Sequence, residues 1–367
     1  MNVDFSPFSY TPKELKKEWL DEIAQVVNEG MFIGGNRLFE FEDAWSNYTG
    51  SSYSVGVSNG LDGLVLALRS LDVHHGDIVA VPAHTFIATW NAIISVGATP
   101  IGVDVDENGL MDLEEFTKIF KKVKAVIPVH MHGATVDMAK LNEICSSQSS
   151  KRIYVVEDAS QAHGSRSPDG SQLGKFSDLV VYSLYPTKNL GALGDAGVVT
   201  TDKKQLADRI RSLSNYGQSK ENKYFHSELG YNNRLDPMQA SVLKVNLTKV
   251  SDWNNKRIQL SNIYISQLEN SINILQSNRG DSVRHHFCVL TPDRHDLQRY
   301  LIDRGIKTEI HYPRVAGIEA NYFLGTDARF PNSEKIANET LSLPLSQWHS
   351  EEQIQYVASQ VKAWTRR

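Results

Sequence analysis

At 367 residues, with 41% hydrophobic and 22% charged residues, the chain has globular composition and is long for a single core, so a large unit with a smaller companion is expected. Its 38 basic residues stand against 43 acidic ones, a formal charge of −5, and the basic residues are scattered, which argues against nucleic acid as the principal partner. Two cysteines, Cys145 and Cys288, are too few for a disulfide framework and point to a reducing, cytoplasmic setting.

The first residues, MNVDFSPFSYTPKEL, lack the basic start and apolar run of a signal peptide, and no apolar stretch nears the roughly 20 residues that cross a bilayer. No membrane partner is expected. Residues 12–29 place Leu15, Trp19, Ile23, Val26 and Val27 at helical spacing, with Gly30 as a stop. A second amphipathic helix is predicted over 37–48, with Leu38, Phe41 and Trp45 on one face. From residue 54, short β-rich runs alternate with helical stretches: SVGVS, GLVLALRSL, DIVAVP, IATWNAIISVG and TPIGVDV, then KAVIPVH, IYVVED and DLVVYSL. Strands separated by helical crossovers predict an α/β fold with a mostly parallel sheet flanked by helices. Residues 234–270 read as long helices leading to a smaller α+β domain from about residue 275. The predicted division is 1–245 for the large domain with its N-terminal helices, and 246–367 for the linking helix and small C-terminal domain.

In parallel sheets, chemistry gathers where strands end at their C-terminal edge. Asn59-Gly60, His84-Thr85 and Glu157-Asp158 all fall there. The segment VVEDASQAHGS followed by VVYSLYPTKNLGALGDAG carries most information. Asp158 closes an apolar strand, and a second strand can bring Lys188 back beside it. An aldehyde cofactor such as pyridoxal 5'-phosphate needs such a pair: the amine bonds the aldehyde, and the carboxylate keeps the ring nitrogen protonated. Taken alone, Asp158 reads as a cap or turn residue and Lys188 as a solvated charge. Their neighbours alter that reading. Ser183 has a hydroxyl suited to phosphate; Gly60 and Leu61 lie where a strand gives way to a helix, with amides that could face an anion or simply start an ordinary helix. Phe86 could lie flat on a ring or pack in the core.

Over nearly the whole chain, from FIGGNRLFEFEDAW through SNGLDGL, PAHTFIAT, GATPIGVDVD, VEDASQAHGS, SLYPTKNLGALGDAG and GYNNRLDPMQA to LSLPL, the sequence resembles the DegT/DnrJ/EryC1/StrS sugar aminotransferases of fold type I. The resemblance implies that Lys188 is the Schiff-base lysine, that Asp158 pairs with the pyridine nitrogen and that Gln161 bonds the ring hydroxyl. It implies that Phe86 stacks on the ring and that Gly60, Leu61 and Ser183 bind the phosphate. Asn232, in GYNNRLD, matches an asparagine that reaches the phosphate of the neighbouring subunit's cofactor, which implies a homodimer with active sites at the interface. L-glutamate is the implied amino donor. SLYPTKNLGALGDAG, KYFHSELGYNNRLD, DWNNKR and KTEIHYP look most like enzymes that aminate a dTDP-linked 3-keto-6-deoxyhexose to the 3-amino-3,6-dideoxy sugar, with amination at C4 of a 4-keto sugar as the alternative. Tyr185, His311 and Tyr312 are the implied substrate contacts; His311-Tyr312 reads equally as a strand pair packed against the small domain.

Two strings depart from the pattern. HLYG reads HMHG here, and HYP is followed by RVAGIEANYF. His130 and His132, two apart, would face one side of a strand; without a third ligand in view no metal is expected. A sugar dehydratase would carry histidine in place of Lys188. A non-catalytic relative would lose the acid or the lysine first. A nicotinamide oxidoreductase lacks its G-x-G-x-x-G after the first strand.

Overall fold

The computed structural model describes residues 1–148, 151–219, 222, 224–276, 282–319 and 328–367. Helix α1 (Lys13–Glu29) ends on Gly30, whose left-handed φ of 68° lets its N–H bond the Val26 carbonyl. Leu15 and Val26 of α1 are buried, but Val27 is exposed, so the buried stripe is narrower than the periodicity predicts. Helix α2 (Asn36–Thr49) buries Leu38, Phe41 and Trp45 as expected.

The alternating region folds as β1 (Tyr53–Val57), α3 (Gly60–Ser70), β2 (Ile78–Pro82), α4 (Ile87–Ser95), β3 (Thr99–Val103), α5 (Leu113–Thr117), β4 (Ala125–Val126), α6 (Met138–Ser146), β5 (Tyr154–Asp158), β6 (Leu179–Ser183), β7 (Gly197–Thr201) and α7 (Lys204–Leu213). Among the described residues these strands form a seven-stranded sheet in the order β1-β7-β6-β5-β4-β2-β3. Only β7 opposes the others, pairing antiparallel with both β1 and β6. One face packs Leu64, Val81, Trp90, Ile93 and Val181, and the other Phe41, Trp45, Tyr182 and Leu243. Burial on both faces explains why the strands read as continuous apolar runs rather than alternating ones.

The KAVIPVH run is shorter as a strand than its apolar length suggests. Pro128 has no N–H to give a ladder, so only Ala125 and Val126 pair regularly. The backbone still follows β5: Asp158 N–H donates to the Pro128 carbonyl at 2.9 Å, and His130 N–H to the Asp158 carbonyl at 3.0 Å.

Helices α8 (Pro237–Leu247) and α9 (Val250–Leu268) lead to a three-stranded antiparallel sheet of β8 (Asn273–Ile274), β9 (Phe287–Leu290) and β10 (Thr340–Leu343). Its core includes Tyr264, Phe287, Leu341, Ile354 and, from the start of the chain, Val3. Val3 joins it through backbone bonds with Gly305 at 2.8 Å and Lys307 at 3.0 Å. No helix among the described residues is long and apolar enough to cross a membrane.

Helix α3 lies unusually close to the sheet, because a Cβ on Gly63 would stand 2.7 Å from Val181 Cγ1. Gly63→Val should therefore overpack this layer and destabilise the protein by about 1–3 kcal/mol. A lower urea midpoint is the expected result; an unchanged midpoint would show that α3 can move away freely.

Candidate active site

Three strand ends and one helix start meet at the C-terminal edge of the sheet. The Asn59 side chain caps α3 by accepting from Asp62 N–H at 2.8 Å, and Gly63 N–H reaches the Asn59 carbonyl at 3.0 Å. The amides of Gly60 and Leu61 are thereby left without an intrahelical acceptor. A Cβ on Gly60 would stand 2.9 Å from Ser183 Cβ and 3.3 Å from Ser160 Oγ. Glycine thus keeps open a small cradle bordered by two hydroxyls at the positive end of a helix, which suits an anion. Ser183 Oγ accepts from Tyr185 N–H at 3.4 Å, so its own hydrogen can point elsewhere. The carbonyl of Ser183 accepts from His163 Nε2 at 2.7 Å, which fixes the end of β6.

Asp158 is buried at the end of β5 with a donor on each carboxylate oxygen. Thr89 Oγ1 donates to Oδ2 at 2.9 Å, and Ser160 N–H to Oδ1 at 3.1 Å. Nothing in the sequence reading singled out Thr89 or Ser160. Thr89 sits three positions beyond Phe86, one turn into α4, and that spacing would have put it on the same side of the helix.

Lys188 follows β6 in a turn closed by its own N–H to the Tyr185 carbonyl at 2.9 Å. Burial of its amine lowers the pKa to about 8, against the opposing pull of Asp158. A substantial neutral fraction near physiological pH makes it a competent nucleophile and base. Asn189 anchors the next position: its amide donates to Asn254 Oδ1 at 2.8 Å and the Val283 carbonyl at 3.1 Å, and its carbonyl oxygen lies 2.9 Å from His285 Nδ1.

Phe86 is exposed at the start of α4, and its ring centroid lies 5.2 Å from that of Tyr312. Gln161 joins two parts of the site, accepting from His132 N–H at 2.6 Å and donating to the Tyr312 hydroxyl at 3.1 Å. Burial, then nearby Asp158, pushes the Tyr312 phenol well up, so it stays protonated. Tyr312 therefore belongs to this cluster and is not a strand residue; His311 instead stacks on His286, 3.9 Å between centroids. Tyr185 is exposed beside Ser183. Asn232 is exposed on another segment, in an isolated bridge with Asn215. The last four residues of the RVAGIEANYF string, 320–323, lie outside the described residues.

The histidines of HMHG do not face one side of a strand. They lie in and before a 3₁₀ turn, Met131–Gly133, and diverge. His130 Nδ1 accepts from Val136 N–H at 3.2 Å, so Nε2 carries the proton it gives to Glu157 at 2.8 Å. His132 pairs with His286. Among the described residues no group of three or more His, Cys, Asp or Glu side chains could hold a metal ion.

The lowered pKa of Lys188 has a direct readout in the cofactor-free protein. Acylation of Lys188, followed by peptide mass spectrometry, should rise with pH through a midpoint near 8 as the neutral amine appears. A midpoint at the ordinary lysine value of 10.5 would contradict the desolvated setting.

Comparison with known proteins agrees with this geometry. Residues 13–362 match the DegT/DnrJ/EryC1/StrS aminotransferase family. The chain is similar to dTDP-3-amino-3,4,6-trideoxy-alpha-D-glucose transaminase of Streptomyces venezuelae, 37% identical over 100% of this chain and 97% of that one. It is likewise 37% identical to dTDP-3-amino-3,6-dideoxy-alpha-D-galactopyranose transaminase of Aneurinibacillus thermoaerophilus, over 95% of this chain and 96% of that one. The crystal structure of NtdA from Bacillus subtilis with bound cofactor PMP superposes with a TM-score of 0.91 at 28% identity, covering 100% of this chain and 86% of that one. A fold, a strand-edge amine and carboxylate, and a match over nearly the full length lead to one assignment: the chain belongs to the DegT/DnrJ/EryC1/StrS aminotransferase family.

Proposed function

We propose that this protein is a pyridoxal-phosphate aminotransferase that moves the amino group of L-glutamate to C3 of a dTDP-linked 3-keto-6-deoxyhexose, giving the 3-amino-3,6-dideoxy sugar. The observation that carries the reading is the convergence of a desolvated Lys188 amine, a doubly held Asp158 carboxylate and the open Gly60 cradle on one strand edge. The names of the two relatives, both for 3-amino dTDP-sugar transaminases, favour C3 over C4.

The residues fit the cofactor. Lys188 would hold it covalently; Asp158 would pair with its ring nitrogen; the Gly60 and Leu61 amides with the Ser183 hydroxyl would take its phosphate. Phe86 would lie on its ring, and Gln161 would reach its ring hydroxyl. When bound, pyridoxal phosphate supplies an electron-accepting ring that stabilises negative charge at the carbon losing a proton. Lys188 Nζ, once free, would take the proton from the α-carbon of the donor, which gives up its amino group and leaves as 2-oxoglutarate. In the second half-reaction it would deliver a proton to C3 of the sugar; a positioned base of this kind contributes about 10²- to 10⁴-fold. Asp158 keeps the ring-nitrogen proton in place, and Thr89 and Ser160 hold Asp158 for that task. Tyr185, His311 and Tyr312 would contact the sugar.

A homodimer completes the reading. Leu20, Val27, Met31, Phe32, Ile33 and Phe39 are exposed on and between α1 and α2, an apolar face that a second copy would cover. Exposed Asn232 would then reach the phosphate of the partner's cofactor. The chain would divide near residue 245 into a cofactor-binding part and a smaller C-terminal part, working in the cytoplasm.

The test is to supply dTDP-linked 3-keto and 4-keto 6-deoxyhexoses with ¹⁵N-glutamate and locate the label by NMR. Nitrogen at C3 is expected, and Lys188→Ala should lose more than about 100-fold of the turnover. Label only at C4, or normal turnover in the alanine variant, would contradict the proposal.

A further inference from the structure

The reaction as derived gives no task to the second histidine of HMHG, yet the structure constrains it closely. His132 has a left-handed φ of 57°, a backbone state that side chains other than glycine adopt at a cost. Three contacts hold it there. Its N–H donates to Gln161 Oε1 at 2.6 Å, its carbonyl accepts from His285 N–H at 3.0 Å, and its Nδ1 lies 3.2 Å from Nδ1 of His286. His286 is itself fixed, stacked on His311 at 3.9 Å, while His311 stacks on Phe5 at 5.7 Å. His286 and His311 line a cavity of about 470 Å³ that also reaches Thr187, the neighbour of Lys188.

His132 Nε2 is different. The residue is 2% exposed, and this nitrogen finds no hydrogen-bond partner among the described residues. Nδ1 of His84 and of His163 share this condition, but His132 also bonds His286, which lines the cavity. A buried polar atom without a partner calls for an explanation, and a ligand is one. Burial and the nearby His311, His84 and Lys188 all disfavour a charged ring. Two ring nitrogens facing each other share one proton. With that proton on His286, His132 Nε2–H donates; with it on His132 Nδ1, Nε2 accepts. A neutral ring that can do either matches an uncharged hydroxyl, whereas a carboxylate would call for a cation.

We propose that His132 Nε2 binds a hydroxyl group of the sugar substrate, with His286 as the residue that positions it. The inference rests on the preceding reading of the site as a sugar-aminating one. It identifies the departure from the HLYG pattern as a sugar-recognition feature.

The test uses the holoenzyme, L-glutamate and a dTDP-linked 3-keto-6-deoxyhexose. His132→Phe keeps a ring and removes both nitrogens, so KM for the sugar should rise about 10-fold or more, the effect of one lost hydrogen bond. The glutamate half-reaction, followed by the absorbance of the bound cofactor without sugar, should fall far less. His132→Asn should recover part of the sugar affinity, and His286→Phe should raise KM in the same sense; the latter carries the test should His132→Phe not fold. Calorimetric binding of the sugar reads the same contrast without turnover. Unchanged sugar KM and affinity in these variants, or equal losses in both half-reactions, would overturn the inference while leaving the aminotransferase intact. A wild-type protein that neither binds nor aminates the sugar would overturn both.

Discussion

The structure depends on one juxtaposition: a carboxylate at the end of β5 and an amine from the turn after its parallel neighbour β6, brought to the same edge of a sheet buried on both sides. Asp158 pairs in register with Val181 of β6, two residues before Ser183, and the turn after Ser183 returns Lys188 to the same edge. Asp158 is buried and Lys188 half-buried, so the charge of each group is felt by the other and is costly to leave unsatisfied. The surroundings respond to both demands. Thr89 and Ser160 occupy the two oxygens of Asp158, and burial biases Lys188 toward the neutral amine.

The same logic ties the sheet edge to the C-terminal part of the chain. Asn189, next to Lys188, bonds Asn254 of α9, and Asn254 donates to the carbonyl of His163 at 2.7 Å. His163 in turn donates to the carbonyl of Ser183 at the rim of the anion cradle. Lys188 and the cradle are thus held by one buried amide and imidazole network. Arg257, also on α9 and buried, reinforces it by donating to the carbonyls of His285 at 3.2 Å and Leu345 at 3.1 Å. Such networks favour one geometry because every member loses partners if it shifts.

Much of this was legible in the chain. The alternating strands and helices, the Gly30 stop and the acid at the end of β5 follow from periodicity and breaker residues, which are local signals. Lys188 became meaningful only through the thirty residues separating it from Asp158, a spacing that fits one more strand. Legibility failed where tertiary contacts decide. Val27 has the spacing of a buried residue but faces out. His130 and His132 have strand spacing, but Pro128 ends regular pairing and a 3₁₀ turn sends the two rings to different partners. His286, 154 positions from His132, had no local signal at all.

The central claim is that Lys188 is the amine this fold sets against Asp158 for an aldehyde cofactor. Its most direct test is to incubate the purified protein with pyridoxal phosphate, reduce with borohydride and map the modified peptide by mass spectrometry. The account predicts one stable adduct, on Lys188, and weaker retention of the cofactor in Asp158→Ala before reduction. An adduct on another lysine, or none, would contradict it.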